Sequence, residues 1–366
     1  MKFKIKSVKI DKNCRKRVQV KKQKESVTIA DIAKKANVSV TTVSRVINGS
    51  DNVKEDTKKK IMQIIEEYNY SPNAFARGLM RKKSNTVGLI IQSIMNPFFA
   101  ELIAGIENTL YLHGFSLLLC DTEYSTEKQI SYVNSLLQQQ VRGIIVINQY
   151  NINRELISKA AEKTHIISIQ SKIPNCDAIS CDLKRGMYMS TEHLIKLGHK
   201  NIAFICYDRR GCSEKFQGFT QAMNDNDTPV QERYLSDFIK IQTKLPKEET
   251  LREAGYIITQ KLLQMPVPPT AIQAMNDFYA IGAYHAVMEA GINIPGDISI
   301  CGFDNVGVSD ILNPPLTTVE QFPYEQGKIC GELLMQKITE GKNPIPREIL
   351  LPTSLIIRSS AAPPKK

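Results

Sequence analysis

The sequence predicts a small all-α head followed by an α/β body of two doubly wound parallel sheets, and three observations carry that prediction. At 366 residues, with 42% hydrophobic and 23% charged side chains, the chain is too long for one small module and has a globular composition. Its net charge of +11 is concentrated at the front: residues 1–26 hold eleven basic and two acidic side chains, residues 27–83 eleven and six, and residues 84–366 are net −3. The hydrophobic texture changes near residue 86, from short bursts at helical spacing to apolar runs of four to seven residues alternating with amphipathic segments of ten to eighteen. A basic front on a near-neutral body points to a polyanion partner, either nucleic acid or an anionic membrane surface.

Residues 1–26 form a basic tail without an apolar core or cleavage site, so they are read as a disordered solvated arm and not as a secretory signal. Within 27–70, Thr28 caps a first helix whose apolar stripe is Ile29, Ile32, Ala33 and Ala36. Asn37-Val38-Ser39 is a tight turn. Ser39 caps a second helix, 40–47, with Val43, Val46 and Ile47 facing inward and Asn48-Gly49 as its stop. A third helix, 55–68, buries Ile61, Ile64, Ile65 and Tyr68 at spacings of three and four. Residues 71–83 are a linker ending in Arg81-Lys82-Lys83.

In 84–362 the candidate strands are 87–91, 116–119, 143–147, 165–169, 201–206, 271–274 and 298–302, and the intervening helices include 98–113, 127–140, 187–197 and 279–290. Seven or more such units exceed one ordinary sheet. Two tandem sheets with a cleft between them follow, with ligand-binding residues at the carboxyl ends of strands.

Several function classes are excluded. The eight cysteines include no CxxC pair and the five histidines never reach a metal-ligand spacing, so no metal, no cofactor and no disulfide scaffold is expected. No apolar run approaches a membrane span, and a cytoplasmic protein with reduced thiols is expected. No GxGxxG follows the first strand and no GxSxG elbow or P-loop occurs, so the chain is not expected to be an enzyme. A transport-type binding protein would share the cleft, but the helical head and the lack of a signal argue against it.

The outward side of the second helix carries Val40, Thr41, Ser44, Arg45 and Asn48, with Thr41, Arg45 and Asn48 on one stripe. Such a helix can enter a major groove about 12 Å wide, where an Arg donates two hydrogen bonds to a guanine edge and short side chains touch bases or a thymine methyl. A solvated face on a small bundle is the alternative.

Residues 27–49, VTIADIAKKANVSVTTVSRVING, resemble the helix-turn-helix of the LacI/GalR (lac repressor) family of bacterial transcription regulators. Later segments agree in order and separation: YSPNAFARGL at 70–79, NPFF at 96–99, GHKNIA at 198–203, Asn276-Asp277 and GFDN at 302–305. The resemblance implies a periplasmic-binding-protein-like body, a homodimer on palindromic double-stranded operator DNA, and repression controlled by a small molecule. It makes 73–79 a hinge helix that orders on DNA, with Leu79 as the minor-groove wedge and Asn73, Ala76 and Arg77 beside it. Thr28 and Ser39, near helix N-termini, join the DNA-contacting set as phosphate contacts, with Thr42, Ser44 and Asn48. The basic tail departs from the family's usual start, and an extra nonspecific DNA contact is its alternative role.

For the effector the resemblance implies contacts from Gln92, Ser93, Asn96, Phe98, Asn148, Gln170, Lys215, Asn276, Asp277, Phe278 and Asp304. Amides and carboxylates suit a polyhydroxyl ligand, so a carbohydrate is expected. Lys215 stands where many relatives place an Arg and cannot offer that residue's bidentate fork. A Lys there is also a feature of the catabolite-control branch, whose co-repressor is a phosphorylated carrier protein. The loop Val306-Gly-Val-Ser309 lacks the Arg that this branch uses against the phosphoserine. Residues 347–362 show no leucine heptad, so a tetramer built by a C-terminal coiled coil is not expected, and a dimer is expected to form through the body.

Overall fold

The computed structural model describes residues 27–47, 52–68, 70, 84–147, 153–206, 213–237, 248–341 and 345–365. They fall into two compact units that part between residues 82 and 83.

The head consists of helices α1 (Ile29–Ala36), α2 (Val40–Ile47) and α3 (Glu55–Glu67). Thr28 caps α1 reciprocally: the Asp31 amide donates to Thr28 Oγ at 3.3 Å, and the Thr28 amide donates to Asp31 Oδ2 at 2.8 Å. The Thr28 hydroxyl first and the Thr28 amide second hold the Asp31 carboxyl below its ordinary range. Asn37 closes α1 in the left-handed region at φ 56°, where asparagine is tolerated. Ser39 Oγ accepts from the Thr42 amide at 3.1 Å and caps α2. The core is Ile32, Ala33, Ala36, Val43, Val46 and Ile61. Ile29, Ile47, Ile64, Ile65 and Tyr68, expected inside, are only partly buried, because three short helices do not enclose a second layer. Tyr68 caps the end of α3 and accepts from Lys35 Nζ at 2.8 Å.

The body has two lobes. Lobe one begins β1 (Thr86–Ile91), α4 (Pro97–Leu112), β2 (Ser116–Asp121), α5 (Thr126–Gln138), β3 (Gly143–Ile147), α6 (Arg154–Ala161), β4 (His165–Ile169) and β5 (Asp177–Cys181). Lobe two follows with α7 (Leu183–Lys196), β6 (Ile202–Cys206), α8 (Ser213–Asp225), β7 (Leu235–Asp237), α9 (Glu248–Leu263), β8 (Ala271–Ala274), α10 (Asp277–Glu289) and β9 (Ser299–Cys301). The last elements are β10 (Thr318–Glu320), α11 (Pro323–Glu340), β11 (Glu348–Leu351) and β12 (Ser354–Ile356). The sheets run β2-β1-β3-β4-β5-β11 and β7-β6-β8-β9, every pairing parallel, while β10 and β12 form an antiparallel ribbon. Helix α11 packs on α4 and β11 joins the lobe-one sheet, whereas α7 packs against β10 and β12. The backbone therefore crosses between lobes after β5, after β10 and after β11. Both sheets place the strand order reversal beside their first strand, β1 in one and β6 in the other, and the carboxyl ends there are where open α/β sheets take ligands.

Strand β5, not foreseen from its pattern, contains an acid that a buried strand would ordinarily reject. Asp177 is fully buried, yet Lys337 Nζ lies 2.7 Å from Oδ1, and Arg347 reaches it through its amide at 3.0 Å and its Nε at 3.3 Å. These contacts dock α11 and β11 onto β5. Strand 298–302 is shorter than expected, 299–301, and strand 116–119 longer, 116–121.

Helices α4 and α11 approach through reciprocal glycines: a Cβ on Gly327 would lie 2.1 Å from Leu102 O, and one on Gly105 would lie 2.1 Å from Tyr324 O. Gly327→Ala is expected to destabilise the body by about 1–3 kcal/mol by forcing these backbones apart. Urea unfolding would show it, and an unchanged midpoint would contradict the close contact. Among the described residues no helix is long and apolar enough to cross a membrane.

Candidate functional site

On α2 the inner side is filled by Val43 and Val46, which leaves Val40 (45% exposed), Thr41 and Arg45 facing outward. Thr41 and Arg45 stand one turn apart. Ser44 is half-buried, and so is Thr42, whose hydroxyl lies 2.8 Å from Ser39 Oγ. The Thr28 hydroxyl donates to Asp31 Oδ2 at 2.6 Å, so Thr28 and Ser39 already serve as caps. Asn48, Asn73, Ala76, Arg77, Leu79 and Asn148 lie outside the described residues.

In lobe two, the carboxyl ends of β8 and β9 and the start of α8 bring together Lys215, Asn276, Asp277 and Asp304. Lys215 is 5% exposed. Its ammonium donates to Met275 O at 2.9 Å, lies 3.5 Å from Asp304 Oδ1 and stands 3.8 Å from the Phe303 ring centroid. Gln321, following β10, donates to the same Asp304 oxygen at 2.6 Å. Burial pushes the Asp304 carboxyl up, against the pull of Lys215 and Gln321. Asp304 lies past the end of β9 at φ 108°, strained for a non-glycine residue, and its amide donates to Val319 O at 2.8 Å. Next to it, Asn305 donates to Glu320 Oε2 at 2.5 Å and accepts from Arg358 at 2.7 Å.

Asn276 caps α10 by accepting from the Tyr279 amide at 3.1 Å. Asp277, expected as a ligand contact, has no exposed surface: Oδ1 accepts from Thr318 Oγ at 2.6 Å, and Oδ2 from Ser309 Oγ at 2.6 Å and the Val306 amide at 2.9 Å. In this conformation it braces the strand ends from beneath. Its carboxyl is pushed up to about 7, by burial first and the charge of Asp304 second. Phe278 is half-buried.

In lobe one, Gln92, Ser93 and Asn96 are buried at the end of β1 and the start of α4. Ser93 Oγ accepts from the Met95 amide at 3.2 Å, and Asn96 caps α4 through the Phe98 amide at 3.0 Å. Phe98 and Phe99 meet edge to face, 5.6 Å between centroids, inside the lobe-one core, so packing accounts for both rings here. Gln170 follows β4 at φ 66°. Sequence reasoning missed Phe303, Gln321 and the Asn305–Glu320–Arg358 chain, whose roles arise only where the crossing segments meet.

Comparison with known proteins follows the same two-part division. Residues 28–73 match the model for bacterial regulatory proteins of the lacI family, and residues 191–361 that for the periplasmic binding protein-like domain. The HTH-type transcriptional regulator DegA of Bacillus subtilis (strain 168) is 36% identical over 343 residues, spanning 92% of this chain and 98% of its own. A lac repressor dimer bound to operator and the anti-inducer ONPF is 25% identical with a TM-score of 0.79, over 92% of this chain and all of that one. A LacI family transcriptional regulator from Enterococcus faecium with bound ribose is 30% identical with a TM-score of 0.67, over 76% of this chain and all of that one.

Proposed function

Because the chain belongs to the lacI family of DNA-binding transcription regulators, we propose that it is a repressor that binds a palindromic operator as a dimer and releases or grips it according to a carbohydrate held between its lobes. The observation that carries the DNA half is the exposed Val40, Thr41 and Arg45 face on a helix whose opposite side is the core of the head. Arg45→Ala is expected to weaken operator binding by roughly 1–3 kcal/mol while barely changing affinity for random DNA. Fluorescence anisotropy on both duplexes tests this; equal losses would refute base reading.

A second copy of the chain is the partner that a two-fold operator requires. The surface supports it: Tyr111 and Leu112 (83% exposed) end α4 as bare apolar residues, and Leu119 is exposed on the edge strand β2.

The carbohydrate reading rests on the strand ends. Gln92, Asn96 and Asn276 supply amides and Asp304 a carboxylate, and a hydroxyl can both donate to and accept from such groups. The Lys215 charge is already committed to Asp304, Met275 O and the Phe303 face, which suits a neutral polyol better than an acid. Asp304→Ala is expected to keep operator affinity and lose the response to the sugar. A thermal-shift screen of sugars and sugar phosphates identifies the ligand, because binding only to the folded state raises its midpoint; a normal response in the variant removes Asp304 from the site.

A further inference from the structure

Two of the three donors on Asp277 come from the turn after β9, residues 306–309. That turn belongs to lobe two but reaches lobe one through a side chain. The Val306 side chain, 3% exposed, packs in the apolar cluster of lobe one that contains Phe98, Phe99 and Leu102. Asp277 is also wedged beneath the end of β9, where a Cβ on Gly302 would stand 2.1 Å from its Oδ1. One buried carboxylate therefore touches the strand ends bearing Asn276 and Asp304 and a turn keyed into the opposite lobe.

The donors are not equivalent. Serine and threonine hydroxyls can rotate toward other acceptors, whereas a backbone amide points one way and, once buried, needs an acceptor there. The Val306 N–H bond to Oδ2 is thus the contact that fixes where the Val306 side chain sits. We propose that Asp277 is a positioning residue that couples the ligand-facing strand ends of lobe two to lobe one, by holding the Val306 turn in lobe one's apolar cluster. This builds on the reading of the strand ends as an effector site and gives that site a route to the approach of the lobes.

Hydrogen–deuterium exchange on the full-length, ligand-free chain tests it with Asp277→Ala, Asp277→Asn and Val306→Ala. Asp277→Ala should speed exchange at residues 306–309 and along α4 from 99 to 106 by roughly tenfold or more, with β6 unchanged, since a buried amide without its acceptor opens more often. Asp277→Asn should restore both regions, because its amide oxygen still accepts from Val306 while its NH2 donates to the Thr318 hydroxyl. Val306→Ala should loosen α4 and leave the turn protected. Exchange confined to the turn, or rising equally in β6, would overturn the coupling. Should Asp277→Ala fail to fold, an unchanged α4 in Val306→Ala would overturn it alone. The sugar response is read separately by thermal shift, so failure of the effector reading leaves the exchange result standing, and the reverse.

Discussion

Replacing Asp177 by alanine is expected to destabilise the body by roughly 3–5 kcal/mol, the cost of leaving a buried charge without its partner. The stranded group is Lys337, whose side chain is 8% exposed and whose ammonium sits 2.7 Å from the lost carboxylate. Arg347 loses the same acceptor, but at 34% exposure it can turn to water. Arg347→Ala should therefore cost much less than Asp177→Ala. The effect reaches beyond one ion pair because Asp177 lies on β5, Lys337 on α11 and Arg347 just before β11, so the two returning segments are pinned at one point. Urea unfolding of the two single variants measures it; an Asp177→Ala variant about as stable as the wild type would show that Lys337 finds solvent when its partner goes.

The second large effect is a fall in stability with rising pH that disappears in Asp277→Asn. Asp277 ionises near 3.8 in an unfolded chain and near 7 in the fold, because burial and then Asp304 disfavour its charge. Between those values the folded state holds a proton that the unfolded state has lost. The contribution is thus complete below about pH 4, declines as pH rises toward 7, and is gone above it. The full swing is on the order of 4 kcal/mol for a shift of this size. Other carboxyls titrate in the same window, so the quantity to follow is the difference between wild type and Asp277→Asn from pH 4 to 8. A constant difference would mean that Asp277 ionises at its ordinary value.

Local rules made the head legible. The Thr28 and Ser39 caps, the stop at Asn37 and the inward Val43 and Val46 all depend on residues within a turn or two of each other. Most parallel strands of the body were legible for a similar reason: apolar runs such as 143–147 are buried along their whole length. Strand β5 was not, because its acid is tolerated only through Lys337 and Arg347, and β11 was not, because as an edge strand it is never fully buried. Helix α8 carries Gly218, which reads as a helix breaker; it is required because a Cβ there would stand 2.2 Å from Lys184 O. The candidate site divides likewise. Asp304 could be placed by its position after a strand and Lys215 by the resemblance, but Gln321, the other partner of Asp304, could not. Asp277 reads as a ligand contact in sequence, and only its donors at 306, 309 and 318 reveal a brace.

The regulator reading stands or falls on titration of the purified full-length chain into labelled duplexes, one carrying its palindromic operator and one with that site scrambled, at fixed physiological salt. Two chains per operator and an affinity at least about a thousandfold above the scrambled duplex are the predicted result. Equal affinity for both duplexes, with one chain bound per site, would contradict it.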